Sequence, residues 1–310
     1  MTKGDPHEII KEAIDQNYTD FYVAYSGGKD SGIVLDFISK EYPQNFKGVI
    51  YVDTGIATNM TLKFVKNYCK DHNYKLNLLH SYDVKRKKES KYGKPGDPFT
   101  FENLVLNYGF PKASGHNITM AWLKYYPIRQ FIQKKIKDNE KPAIISGVRK
   151  KESKRRSKRK SYSNHINHDG YMTFVCPLFY KSNNWVSEYY IKNNIKRSPV
   201  YKTLHISGDC LCGCFAKKEE LKLLEMFHPE VFAEIKRLEK LIKEKGSLEA
   251  QNFTTWANNN KSTSDVESQT TLESAICSEC FFDNDNKEND TKRFDKEMAQ
   301  IEKKLEHLKP

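Results

Sequence analysis

The sequence predicts an α/β fold: a doubly wound, mostly parallel sheet followed by a C-terminal helical extension that carries cysteines. Three observations predict it. Short apolar runs alternate with helix-period segments over the first two-thirds of the chain, the order of repeated strand–helix–strand units. The first of these runs ends in the turn Ser26-Gly27-Gly28-Lys29-Asp30-Ser31, directly before a helical pattern. Beyond position 205 the strand signal stops, and five of the seven cysteines fall there in two tight groups.

In chain order, FYVAY (21–25) reads as the first strand, and SGIVLDFISK follows with Ile33, Val34, Phe37 and Ile38 at helical spacing. GVIYVD (48–53) reads as a second strand ending in a carboxylate, TLKFVKNYCKDH as a helix and KLNLLH as a third strand. The stretch 81–120, rich in Lys, Gly and Pro, reads as loose. A helix is expected near 121–138, the strand PAIIS at 142–146, a last strand at YMTFVCPL (171–178) and a helix at WVSEYYIKNNI. LKLLEMFHPEVFAEIKRLEKLIKEKG reads as two helices broken at Pro229 and stopped at Gly246. From Ser247 to about Arg293 the polar composition predicts mainly loop, with a closing surface helix after it. Cys69, on a predicted helix, and Cys176, inside a predicted strand, read as core residues.

A chain of 310 residues accommodates one large α/β domain with an appendage, or two domains, and the expected division is 1–205 and 206–310. Lys plus Arg number 52 against 40 Asp plus Glu, a formal charge of +12, which favours phosphate-bearing partners, either nucleotide or nucleic acid. No stretch is apolar over a bilayer-spanning length, and MTKGDPHEII lacks the apolar core of a secretory signal, so a cytoplasmic protein with no membrane partner is expected. An odd cysteine count with tight late grouping suits metal or cluster ligation in a reducing compartment better than disulfides.

The chemistry is expected first at the 26–31 turn. At the carboxyl end of a strand and the amino end of its helix, free N–H groups and a dipole of about half a charge point at an anion. Gly27 and Gly28 allow close backbone approach, Lys29 adds a mobile charge, and Ser26 and Ser31 add donors. A Walker A loop is excluded, because Lys29 is followed by Asp30 and the first glycine of that motif is missing. Asp53, at the tip of the second strand, suits a ribose hydroxyl, a magnesium ion on the phosphates, or a plain turn. Arg149 follows PAIIS directly, and forked guanidinium groups suit a phosphate or sulfate held in fixed orientation. The run 150–160 holds eight basic residues and one acid, a solvated loop or a nucleic-acid footprint. Among the cysteines, Cys210, Cys212, Cys277 and Cys280 are the expected ligands of an iron–sulfur cluster or zinc, with Cys214 in reserve; the competing reading is buried small residues and a loop.

With these residues in view, SGGKDS in its strand–loop–helix setting resembles the phosphate loop of the adenine nucleotide α-hydrolase superfamily. VDTG (52–55) and GVRKKESKRR (147–156), together with the Pro177-Leu178 pair, Trp185 and SPVY (198–201), narrow the resemblance to the phosphoadenosine phosphosulfate (PAPS) reductase family over about 19–225. The resemblance implies a Rossmann-like α/β domain, chemistry at the α-phosphate of ATP or of an adenylyl sulfate, and nucleotide contacts from Ser26 to Ser31, Asp53, Gly147, Arg149, Glu152, Ser153 and Arg156. Lys29, Asp53 and Arg149 are the expected catalytic residues, with Mg2+ accompanying the nucleotide. Some relatives carry a 4Fe–4S cluster beside the nucleotide, which the late cysteines match in kind. The family's Glu-Cys-Gly-x-His nucleophile segment is not found, Ile56-Ala57 stands where a Glu-Thr pair is usual, and NITMAWLK (117–124) stands where relatives show Arg-Trp-Cys. Adenylation by ATP coupled to sulfur transfer, with a sulfur-donor protein or nucleic acid as partner, is therefore the expected function. Reduction of PAPS or adenylyl sulfate to sulfite, and a non-catalytic nucleotide- or nucleic-acid-binding module, are the alternatives.

Overall fold

The computed structural model describes residues 4–89, 94–150 and 164–257. Its centre is a six-stranded sheet of β1 (Asp20–Ala24), β2 (Phe46–Asp53), β3 (Leu76–His80), β4 (Pro142–Ile145), β5 (Ile166–Asp169) and β6 (Met172–Val175), in the order β3-β2-β1-β4-β6-β5. All pairings are parallel except β5 with β6. The chain fills the sheet outward from β1 through β2 to β3, then restarts on the other side at β4. The gap between the carboxyl ends of β1 and β4 is thus the point where connection direction reverses, and such points open a crevice.

Alternation along the strands assigns the two faces. Phe21, Val23, Val49, Tyr51, Ala143 and Ile145 join one buried cluster, and Tyr22, Ile50, Val52, Ile144 and Phe174 the other. On the first face lie α1 (Pro6–Asp15), α2 (Lys29–Glu41), α3 (Asn59–Asp71) and α7 (Asn183–Lys192). On the second lies the helical run α5 (His116–Met120), a π-turn over Ala121–Tyr125, and α6 (Tyr126–Lys137), which packs Tyr125, Ile128 and Ile132 on the sheet. Each fully buried Val, Ile, Leu or Phe contributes about 1.5–3 kcal/mol, so these two faces outweigh the surface ion pairs by far.

A third buried cluster lies beyond the sheet. It joins α4 (Phe101–Tyr108), Trp122 and Leu123, the short α8 (Tyr201–Leu204), the cysteine loop, α9 (Lys218–Phe227), α10 (Pro229–Lys245) and Trp256. Its residues come from both sides of position 205.

Four details differ from the sequence-based expectation. The stretch 81–120 contains α4, started by Thr100, whose hydroxyl accepts from the Asn103 N–H at 3.0 Å, and stopped at Gly109 with φ +73°. The start of the polar segment after Ser247 is packed: Ala250–Phe253 forms a turn of 3-10 helix, and Trp256 is buried. α1 went unpredicted although Asp5 caps it and Pro6 occupies its first turn. β5 is a polar edge strand whose pattern gives only Ile166 to the core. The two helices around Pro229 form as expected, and Cys69 and Cys176 are buried as expected. Among the described residues, no helix is long and apolar enough to cross a membrane.

Candidate nucleotide crevice and cysteine loop

The turn after β1 folds back on itself through its serines. Ser31 donates to the Gly28 carbonyl at 3.2 Å and lies 3.0 Å from the Ser26 hydroxyl, which accepts from the Gly28 N–H. Gly27 has φ +81°, a conformation that other residues rarely adopt, and its carbonyl accepts from the Ser198 N–H at 2.8 Å. The SPVY run thereby clips the loop from the far side. α2 begins at Gly28 with no side-chain cap, so its first-turn amides and dipole remain available to a ligand.

Two residues after β4 fix this loop from beneath. Gly147 packs so tightly that an added Cβ would lie 2.8 Å from the Asp30 carbonyl carbon and from the Ser31 amide nitrogen. Arg149, only 3 % exposed, directs Nε and one terminal nitrogen to the same Asp30 carboxylate oxygen at 3.1 Å each, and its other terminal nitrogen to Asn183 Oδ1 at 2.7 Å. The structure therefore brings Ser26 to Ser31, Gly147 and Arg149 together, with the Arg149 guanidinium engaged on Asp30. Asp30 Oδ1 is buried with no hydrogen-bond partner among the described residues, an orphan that suits a donor or cation accompanying a ligand. Asp53, at the end of β2, accepts from the Gly55 N–H at 2.9 Å and stands 3.3 Å from His80 Nδ1. In chemistry, the unpartnered Asp30 oxygen within the loop and the Asp53 carboxylate at the end of β2 suit magnesium, which is held through one or two carboxylates and the phosphates. Glu152, Ser153 and Arg156 lie outside the described residues.

Where β1 and β4 diverge, a cavity of about 30 Å³ is lined by Ala24, Tyr25, Ser26, Ile50, Tyr51, Val52, Lys124, Ile128, Ser146, Gly147 and Asp209. Two of these residues carry charge and gave no signal in the sequence. Lys124, 4 % exposed, projects from the π-turn, and its ammonium meets Asp209 Oδ2 at 2.5 Å. A π-turn inserts one residue into a helix and re-aims the side chains around it, a device frequent at functional sites.

Asp209 opens the cysteine loop. Its other carboxylate oxygen accepts from the Ser207 hydroxyl at 2.7 Å, and its carbonyl accepts from the Thr54 hydroxyl at 3.3 Å. Around it, the Thr58 N–H donates to the Gly208 carbonyl at 2.9 Å and the Leu211 N–H to the Ile56 carbonyl at 2.7 Å. The loop therefore lies along the segment that follows β2, one strand from the phosphate turn.

Cys210 is half-buried, whereas Cys212 and Cys214 are buried, and none of the three forms a disulfide among the described residues. The Cys212 hydrogen bond, then burial, raises Cys210 well above the ordinary thiol range. At Cys212 the Cys210 hydrogen bond pulls downward, but the Cys214 hydrogen bond and burial outweigh it, and the thiol stays neutral. Cys214 lies 3.7 Å from the Thr119 hydroxyl. Three adjacent thiols have the right chemistry for a soft metal but fall short of the four thiolates that a cluster or structural zinc takes. Among the described residues, no group of three or more His, Cys, Asp or Glu is arranged to hold an ion, and Cys277 and Cys280 lie outside them.

Trp256 braces this loop from outside. It is 2 % exposed, its indole N–H donates to the Leu211 carbonyl at 2.9 Å, and it packs on Gly213, where a Cβ would come within 2.7 Å of the ring nitrogen. Trp256→Ala is expected to cost about 3–5 kcal/mol in urea denaturation. Trp256→Phe, which loses mainly the hydrogen bond, is expected to cost nearer ~1 kcal/mol. An unchanged stability in Trp256→Phe would mean that the indole N–H does not hold the loop.

The profile of the family described as "phosphoadenosine phosphosulfate reductase domain" matches residues 20–215. No curated protein matches the sequence. Among solved structures, a PAPS reductase from Candida auris in a phosphate complex is 15 % identical, with 64 % of this chain and 84 % of that chain covered and a TM-score of 0.41. An FMN adenylyltransferase from Candida glabrata, bound to FMN and an ATP analogue, is 12 % identical, with 64 % and 59 % covered and a TM-score of 0.40. A U34-tRNA thiolase from Methanococcus maripaludis, solved with its 4Fe–4S cluster, is 14 % identical, with 77 % and 78 % covered and a TM-score of 0.38.

Proposed function

The chain belongs to the phosphoadenosine phosphosulfate reductase domain family, and from that premise we propose that it is an adenine-nucleotide enzyme of sulfur chemistry that activates an acceptor by adenylation. The supporting observation is the convergence of the 26–31 turn, Gly147 and Arg149 at the crevice between β1 and β4. In this reading ATP lays its phosphates against the uncapped start of α2. An acceptor oxygen forms a bond to the α-phosphorus, the bond to the bridging oxygen breaks, and pyrophosphate leaves with that electron pair. Lys29 and the α2 amides neutralise charge developing on the phosphoryl oxygens, in the general manner of preorganised donors. Arg149 acts by holding Asp30, and through it the turn, in place. A magnesium ion, where bound, would shield the phosphates, with Asp53 and Asp30 as its protein carboxylates. In the second half-reaction, sulfide from an external donor displaces AMP from the acceptor, and the carbon–oxygen bond is replaced by carbon–sulfur. The late cysteines would reach the four thiolates of a cluster only with Cys277 and Cys280 included.

Exchange of labelled pyrophosphate into ATP across a panel of acceptors tests this reading, because it reports α-phosphorus chemistry without the final product. Exchange with one acceptor, falling by roughly 10²–10³ in Lys29→Ala, is the expected result. No exchange with any acceptor overturns adenylation.

A second reading, reduction of a sulfated adenine nucleotide to sulfite, is favoured by one observation: Cys210 is half-buried and follows Asp209, which lines the crevice. Its thiolate would bond to the sulfate sulfur as the nucleotide phosphate leaves, and an external thiol would then release sulfite and form a disulfide. The neutral state of Cys210 weighs against it. Sulfite release with a supplied thiol, lost in Cys210→Ser, would decide for it.

A further inference from the structure

We propose that Lys124 and Asp209 form a latch that holds the cysteine loop closed over the crevice, and that a phosphate of the incoming nucleotide opens it by taking the Lys124 ammonium from Asp209. The proposal rests on the nucleotide reading above and adds to it a coupling between the crevice and the thiols.

The crevice as it stands is narrow and partly open to solvent. Its cavity of about 30 Å³ is far below the roughly 300 Å³ upward of small-molecule sites, so a nucleotide group seated in it gains room when a wall moves. Three walls are strand ends fixed by parallel ladders, at Ala24, Ile50 to Val52 and Ser146. The helical run supplies a fourth at Lys124 and Ile128, and the fifth is Asp209, within 205–217, which has no helix or strand. The backbone of this wall is tied to 54–58 by the hydrogen bonds given above, and the side-chain contact that joins it to the helical run is an ammonium on a carboxylate, with both partners buried.

The same cavity that receives Lys124 also exposes Ser26 of the phosphate turn, so an anion seated there competes with Asp209 for one cation. A ligand shifts a conformational balance only by what it gains in one state over the other. The phosphate–ammonium contact exists only when Asp209 has let go, and that supplies the difference. Asp209, once released, keeps the Ser207 hydroxyl and gains water as the wall swings out. Lys124 is thus a positioning residue for the loop.

Amide hydrogen exchange on the full-length chain, with saturating ATP as the probe, tests this. In the wild type, ATP should slow exchange across 26–31 and speed exchange across 206–216, at amides such as Leu211, by roughly tenfold or more, equivalent to ~1.4 kcal/mol of opening. In Asp209→Asn and Lys124→Met, 206–216 should exchange fast already without ATP and show no further response, with β4 protection unchanged. Lys124→Arg should keep both the closed loop and its response. If Lys124→Met does not fold, Asp209→Asn decides alone. ATP protection at 26–31 with no change at 206–216, or a wild-type response in Asp209→Asn, overturns the latch and leaves the nucleotide reading standing. No protection at 26–31 overturns both.

Discussion

Gly147→Ala is expected to weaken ATP binding by about a hundredfold or more, a loss of ~2.7 kcal/mol, together with roughly 1–3 kcal/mol of stability. The reason is contact rather than conformation. The new methyl group would sit 2.8 Å from two backbone atoms, the Asp30 carbonyl carbon and the Ser31 nitrogen, and 2.9 Å from the Asp30 oxygen. No side chain can rotate away, so relief comes only from shifting the first turn of α2, which is the part of the loop that presents amides to a phosphate. Calorimetric titration with ATP and urea denaturation of the same variant measure the two effects. Wild-type affinity would show that the turn relaxes without consequence and that the close packing does not set its position.

The second large effect belongs to Arg149. Arg149→Met is expected to cost about 3–5 kcal/mol, because it leaves the Asp30 carboxylate buried beside no cation. Arg149→Lys should recover little, since one ammonium cannot reproduce two nitrogens on Asp30 and a third on Asn183. The double change Arg149→Met with Asp30→Asn should cost less than the two single losses added, because the stranded charge is gone. Denaturant midpoints for the four proteins measure this, and strict additivity would mean that the pair does not act as a unit.

The parallel strands were legible because fully buried strands read as continuous apolar runs. The phosphate turn was legible because a glycine pair between a strand and a helix leaves the backbone bare where an anion has to approach it. Gly147 and Arg149 were legible by their position after PAIIS, but not their engagement with Asp30: sequence spacing suggested a guanidinium aimed at a ligand, and the fold directs it at the loop that would bind one. Lys124 was hidden. In AWLKY it reads as a polar residue on an amphipathic helix, and only the π-turn turns it into the crevice toward a partner 85 residues away. Asp209 was overshadowed by the cysteines beside it. Trp256 stood alone in a polar stretch, where periodicity carries no signal, and its burial depends on the facing Gly213. The Cys277 and Cys280 half of the proposed ligand set lies outside the described residues, as do Glu152, Ser153 and Arg156.

The 85-residue separation between Lys124 and Asp209 also bears on how the chain is made. At about 5–20 residues per second, a ribosome delivers the lysine roughly 4–17 s before its carboxylate. During that interval β4, β5 and β6 are synthesised and the sheet becomes complete, yet a stranded ammonium resists enclosure in the place where the sheet would bury it. Nascent chains halted before position 209 should therefore collapse without closing this corner of the molecule, and completion of the cysteine loop would be the step that commits the sheet to its final packing.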